Sequence, residues 1–268
     1  DDVGDAVLIE NQTTSAAHET HIAVNVEDNE FTLNANSGRG FAFDWDGPAN
    51  VTVDNNAFTM TGAGTPGVLF ATGISITATS STDLLELDVT NNQIGQLFNT
   101  TQPGATGLHV ETSGQAEMLV ANNQFRLDGL SSVGMEFDLG ILNTMALTEN
   151  TLEFLGEGGI GVDFIEVGAQ SNFLIRNNTI DVGDNVAAVT TINGIPVPGS
   201  VVLNDPPDEI SMIFRRARGV FTISGTGNIM REIILPGNVF ALTQGPLFPD
   251  FRRVTPVGTI EVNGLFVP

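Results

Sequence analysis

The sequence has no cysteine, no lysine and no tyrosine, and one tryptophan among its 268 residues. Without cysteine there are no disulfides, no thiol chemistry and no Cys-ligated zinc site. The nine basic residues are all arginine and face 32 acidic ones, for a formal net charge of −23. Such a balance excludes nucleic-acid backbones as ligands, because phosphate contacts need a basic face. No apolar run approaches the length of a membrane span, so no membrane insertion is expected. The opening DDVGDAVLIE lacks a basic-then-apolar export signal and reads as a mature or excised N-terminus. No Gly-rich phosphate loop, Ser/His/Asp set or nucleotide motif stands out. Charge is uneven along the chain. Residues 1–200 carry the whole acidic excess, whereas residues 201–268 balance six acidic side chains with Arg215, Arg216, Arg218, Arg231, Arg252 and Arg253.

What the sequence does have is a phrase that recurs: VTVDNNAFTM at 51–60, LDVTNNQIGQ at 87–96, MLVANNQFRL at 118–127 and LIRNNTIDVG at 174–183. Aligned on the second polar residue, the phrases give Asn29, Asn56, Asn92, Asn123, Asn150, Asn178 and, after a gap, Asn238. Two residues after each stands an apolar side chain, and apolar pairs lie five and three residues before it. Eleven residues after Asn29, Asn56, Asn123 and Asn150 comes a glycine (Gly40, Gly67, Gly134, Gly161), and fifteen after Asn92 comes Gly107. Each glycine opens an apolar-x-apolar run. One repeat therefore offers three short alternating strands, with a corner at Asn and another at Gly.

Such a unit cannot bury its apolar face alone. Stacked on its own copies, it winds into a coil whose strands pair in parallel with the turn above, apolar side chains inward. Asparagine suits the corner twice over. It tolerates the left-handed backbone conformation, and its amide both donates and accepts, so stacked copies can bond along the axis. These units resemble the right-handed parallel β-helix superfamily, which includes pectate-lyase-like enzymes and autotransporter-type adhesin passengers, with no specific member indicated. The resemblance covers 20–182 well and 220–242 in outline. It implies a single all-β domain over 1–268, a right-handed parallel β-helix of eight or nine coils about 40 Å long. Regular coils are expected over 20–182, an irregular excursion over 183–219, and last coils with a C-terminal cap over 220–268.

Outward positions then stack in columns. The residue between the apolar pair after each glycine gives Ala42, Leu69, His109, Glu136 and Asp163; the column two places on gives Asp44, Ala71, Glu111, Asp138 and Ile165. His109, Glu136 and Asp163 are the candidate catalytic residues of a polysaccharide lyase or glycoside hydrolase. Glu111, Glu136, Asp138 and Asp163 offer a weak calcium site, the one cofactor expected, through oxygen ligands. The outward column before the Asn corner turns apolar at Leu119, Ala146 and Leu174, with Ile234 later, and needs a cover. The 183–216 excursion is the simpler cover and another chain the alternative. With Arg215, Arg216, Arg218, Arg252 and Arg253, these residues form the candidate interface, and the charge asymmetry suits head-to-tail assembly. Trp45 either shields the core or stacks on a sugar. His18 and His21 have metal-ligand spacing but no third ligand.

The catalytic segments of pectin-degrading β-helix enzymes (NTD, DD, GHG and RIK, or WIDH and RxPxxR) are absent, apart from a DD at 1–2. The first functional expectation is accordingly an extracellular or cell-surface structural or adhesive module without catalytic activity, with a homo-oligomer, a glycan or a surface component as partner. The alternative is the lyase or hydrolase acting on an outer face.

Overall fold

The structure is a computed structural model. It describes residues 4–11, 21–33, 38–61, 71–96, 104–154, 158–168, 170–181 and 210–215, together with strand backbones at 191–192, 195–196, 221–224, 233–235, 240–244, 249–252, 260–262 and 265–267.

Strand β1 (Val7–Glu10) comes first. The first full coil is β2 (Ile22–Glu27), β3 (Glu30–Leu33) and β4 (Arg39–Trp45); the second is β5 (Ala49–Asp54), β6 (Ala57–Met60) and β7 (Thr72–Ala78). The third is β8 (Leu84–Thr90), β9 (Gln93–Gln96) and β10 (Thr106–Thr112), and the fourth β11 (Gln115–Ala121), β12 (Gln124–Leu127) and β13 (Val133–Leu139). The fifth is β14 (Thr144–Thr148), β15 (Thr151–Phe154) and β16 (Ile160–Val167). A sixth opens with β17 (Ser171–Arg176) and β18 (Thr179–Asp181) and is closed by Ile210–Phe214, which pairs in parallel with β16. Corresponding strands form three sheets. The first holds β1, β4, β7, β10, β13 and β16; the second β2, β5, β8, β11, β14 and β17; the third β3, β6, β9, β12, β15 and β18.

This is the parallel β-helix that the repeat implies, with about five turns rather than eight or nine. At the inter-strand spacing, six rungs cover about 25 Å rather than 40. The shortfall lies at the C-terminal end. Phe221–Ser224 still extends the second sheet in parallel and Ile233–Leu235 the first, but Phe240–Gln244 pairs antiparallel with Ile233–Leu235, and Pro249–Arg252 antiparallel with Phe240–Gln244. Ile234 accordingly pairs with Ile213 in the first sheet and does not continue the Leu119 column. Asn238 lies outside the described residues. The two echoing segments TINGIP and IEVNGLFV are antiparallel pairs on either side of an Asn-Gly dipeptide, the residue pair that a two-residue hairpin favours.

The corner is shared between two residues. The first of each pair carries the left-handed backbone: Asp28, Asn55, Asn91, Asn122, Glu149 and Asn177 have φ between 54° and 60°. The second carries the ladder. Asn29, Asn56, Asn92, Asn123 and Asn150 each donate from Nδ2 to the Oδ1 of the next, ending at Asn178, over 3.0–3.1 Å. Every group of Asn123 is used. Its Nδ2 also donates to the Val89 carbonyl (2.8 Å), its backbone N–H donates to Asn150 Oδ1 (3.0 Å), and its Oδ1 accepts two N–H groups of Asn92. A buried amide is tolerable only on those terms.

The glycines have a different role from the expected corner. Gly40, Gly73, Gly107 and Gly134 lie inside or beside the first-sheet strands, and a Cβ on each would come within 2.6–2.7 Å of the carbonyl oxygen of the equivalent glycine one coil on. They are clearance positions, not turns. The second coil's member is Gly73, not Gly67, so its strand is the ISI run at 74–76. Leu69 lies outside the described residues, and Ser75 and Thr77 take the places expected for Leu69 and Ala71.

Inside, buried side chains form one continuous core. Its aromatic file is stacked like the amides, with ring centroids 5.1 Å apart for Phe137–Phe164 and 4.2 Å for Phe164–Phe214. Trp45 stacks on Phe43 at 6.0 Å and packs against the core, so it shields rather than offers a platform.

Substituting Asn123→Ala strands the Val89 carbonyl and the Asn92 donors together and should cost about 3 kcal/mol in denaturant unfolding. Asn122→Gly, at φ 58°, should stay within about 0.5 kcal/mol of the parent. Equal effects would contradict the division between corner and ladder.

Candidate functional site

Two outer faces concentrate chemistry. On the first sheet, register stacks Ala42, Ser75, His109, Glu136, Asp163 and Ile213 on consecutive strands. The three residues expected to lie together do so. Beside them run Asp44, Thr77, Glu111, Asp138 and Glu166. A β-bulge after Phe137 lets Ile165 slip out of that column and puts Glu166 opposite Asp138.

These side chains are engaged with one another. His109 Nδ1 lies 2.8 Å from Glu136 Oε1. Arg215, one residue past the Ile210–Phe214 strand, donates from Nε to both oxygens of Asp163 (2.7 and 2.9 Å) and from Nη2 to Oδ2 (2.7 Å). This fork seals a carboxylate that is 3% exposed. The Asp163 hydrogen bond is the main reason the guanidinium holds its proton more firmly than a free arginine, outweighing partial desolvation; the charges of Asp163 and Glu136 add to it. Arg215, placed on a docking surface from the sequence, thus makes an intrachain clamp. Arg216, Arg218 and Arg253 lie outside the described residues, as do His18 and the side chain of Arg252; His21 is exposed. Among the described residues no group of three or more His, Asp or Glu is placed to hold a metal ion. Of the four carboxylates named for calcium, Asp163 is held by Arg215 and Glu136 by His109.

The second sheet presents a shallow groove of about 600 Å³. One wall is the column Asp88, Leu119, Ala146 and Leu174, in register on β8, β11, β14 and β17. Leu119 and Leu174 are 37% and 40% exposed; most of the 183–216 excursion expected to cover this stripe lies outside the described residues. The other wall is Asn50, Glu86, Glu117, Thr144 and Asn172, again in register. Asn50 Nδ2 donates to Glu86 Oε2 at 2.9 Å. This second wall was not singled out from the sequence, although each member stands six residues before a ladder asparagine. Glu86, Asp88 and Glu117 crowd one end of the groove. Asp88 is exposed overall, yet its carboxyl lies along the groove wall. That partial desolvation, followed by the charge of Glu86, holds its pKa above the usual aspartate value.

No protein-family model, curated protein or solved structure matches this chain.

A carboxyl whose folded pKa is raised contributes stability that is fully present below its unfolded pKa and lost as pH rises through the folded one. Asp88→Asn should therefore stabilise the protein at neutral pH, and the gain should vanish below the ordinary aspartate range, near pH 3.8. Thermal melts of parent and variant at both pH values check this; a gain that persists at acid pH contradicts it.

Proposed function

We propose that the chain is a non-catalytic structural or adhesive module of an extracellular or cell-surface protein, and that its second-sheet groove docks a neutral glycan strand. The Leu119–Ala146–Leu174 stripe, both of its leucines exposed, lies beside a file of amides, carboxylates and a hydroxyl and supports this reading. Sugars present apolar ring faces and hydroxyl edges, and those two walls complement them. Glu86, Asp88 and Glu117 accept hydrogen bonds from hydroxyls and repel acidic chains. The residues best suited to catalysis, by contrast, are bound to each other: Asp163 in the Arg215 fork and His109 on Glu136. Regular coils without the motifs of the known pectin-degrading enzymes agree with the autotransporter-adhesin side of the resemblance rather than the pectate-lyase side.

A second reading, a glycoside hydrolase or lyase on an outer face, is favoured by one observation. Asp88 has its pKa raised beside Glu86 and one coil from Glu117, and a carboxyl poised to give up a proton next to an ionised partner is what acid-assisted glycoside cleavage uses.

Titration against neutral and acidic oligosaccharides, with product analysis, separates the two. The module reading expects binding to neutral members without turnover. It also expects a loss of about tenfold on Leu119→Asp and no change on His109→Ala. Products that disappear on Asp88→Asn or His109→Ala would replace it with the enzyme reading.

A further inference from the structure

The register that aligns the amides also decides which charges meet. It sets Glu27 opposite Asp54 and Glu86 opposite Glu117 on the second sheet, Glu111 opposite Asp138 on the first and Glu153 opposite Asp181 on the third. Asp138 in turn faces Glu166, so the first sheet carries three carboxylates in file. Neighbouring strands lie about 4.8 Å apart, and like charges directly opposite one another destabilise a sheet. The opposition recurs on all three sheets and in coil after coil, so it belongs to the whole winding rather than to one site.

Fixed positive charge is scarce in these coils. Residues 1–200 contain no lysine, and their arginines are Arg39, Arg126 and Arg176. Arg39 is held by Asp5 and Asp44, Arg126 stands opposite Glu153 and 3.8 Å from Asp128, and Arg176 ends β17. Neutral groups bond two of the stacked carboxylates: the Asn50 amide on Glu86, and the Thr90 hydroxyl and Asn91 amide on Asp54. Neutral donors leave the negative charge where it is. Glu136 and Asp163 show the other arrangement, with His109 bonded to the first and the Arg215 guanidinium to the second. Mobile cations can supply elsewhere what Arg215 supplies at Asp163.

How much salt that takes follows from two lengths. At physiological ionic strength the Debye length is about 8 Å, longer than the strand spacing, so stacked carboxylates still repel. At 1 M it is about 3 Å, shorter than that spacing, and the repulsion is screened. We infer that this coil is built for a medium of high ionic strength, in which monovalent cations gather loosely along its carboxylate files and the fold reaches full stability only near molar salt. The ligand is an ion atmosphere and not a chelated ion. This holds whether or not the groove binds a glycan, because it concerns the winding itself.

Thermal melts of the whole chain between 0.15 and 1 M sodium chloride test the inference. Tm should rise by about 10 °C over that range, and potassium chloride should give the same rise. A triple variant with Glu27→Gln, Glu86→Gln and Glu111→Gln relieves three of the oppositions. It should melt above the parent at 0.15 M and show about half the parent's rise. A second triple variant, Glu30→Gln, Asp46→Asn and Glu149→Gln, removes as much charge elsewhere: Glu30 stands opposite Ala57, and Asp46 and Glu149 lie outside the paired strands. It should keep the parent's rise. Comparing the two variants cancels salting-out, since each exchanges carboxylates for amides and leaves apolar area unchanged. A Tm that is flat or falls with salt, or equal flattening in both variants, would overturn the inference. So would a full rise at millimolar calcium chloride with no dependence on sodium, which would put a bound divalent ion in place of the atmosphere.

Discussion

A side-chain amide withdrawn from water is costly unless its donor and its acceptor are both used. Here each is used because the next coil carries the same residue in the same place. Asn56, Asn92, Asn123, Asn150 and Asn178 are almost wholly buried and bonded in file. The file ties the corner of one winding to the corner of the next, and with the corners aligned the three strands of each coil have one register available. The apolar interior then follows from period-two alternation, and so do the outer columns. The left-handed residue before each asparagine makes the bend, which frees the asparagine to bond along the axis.

In-register stacking brings like residues together on the surface, and the two outer faces handle this differently. On the first sheet, Glu136 and Asp163 are neighbours, Glu136 bonded to His109 and Asp163 held in the Arg215 fork. The price is that those groups are occupied. On the second sheet, the Asn50 amide bonds Glu86, and partial desolvation, followed by the charge of Glu86, holds the Asp88 pKa up. The face with spent chemistry is closed and the face with open chemistry is a groove. That contrast is what supports the proposed docking role over catalysis at the histidine.

Much of this was legible in the sequence because a ladder needs the same residue at every turn. Asn29 to Asn178 could be aligned by eye, and the columns drawn from that alignment meet in space except at Leu69, Ala71, Ile165 and Ile234. What escaped notice has physical reasons. The second coil's clearance glycine, Gly73, sits seventeen residues after Asn56, and a fixed interval selected Gly67 instead. The bulge at Ile165 shows in the sequence only as one apolar doublet, Phe164–Ile165, which a fixed two-residue count passes over. Arg215 reaches Asp163 across 52 residues from a segment that follows no repeat. From Phe240 on, the described strands form antiparallel pairs, whose alternation looks like that of a coil strand until partners are known. The Asn50–Asn172 wall could have been read, since it keeps a constant offset from the ladder, but no single member of it looks unusual.

Solvent exchange of the asparagine side-chain amides, followed by NMR, tests the ladder most directly. The account predicts that the Nδ2 protons of Asn92, Asn123 and Asn150 exchange slowly and together, opening only when the coil unfolds, while those of exposed Asn122 exchange at the rate of free amide. Ladder amides that exchange as fast as Asn122, or independently of one another, would show that the file does not hold the windings together.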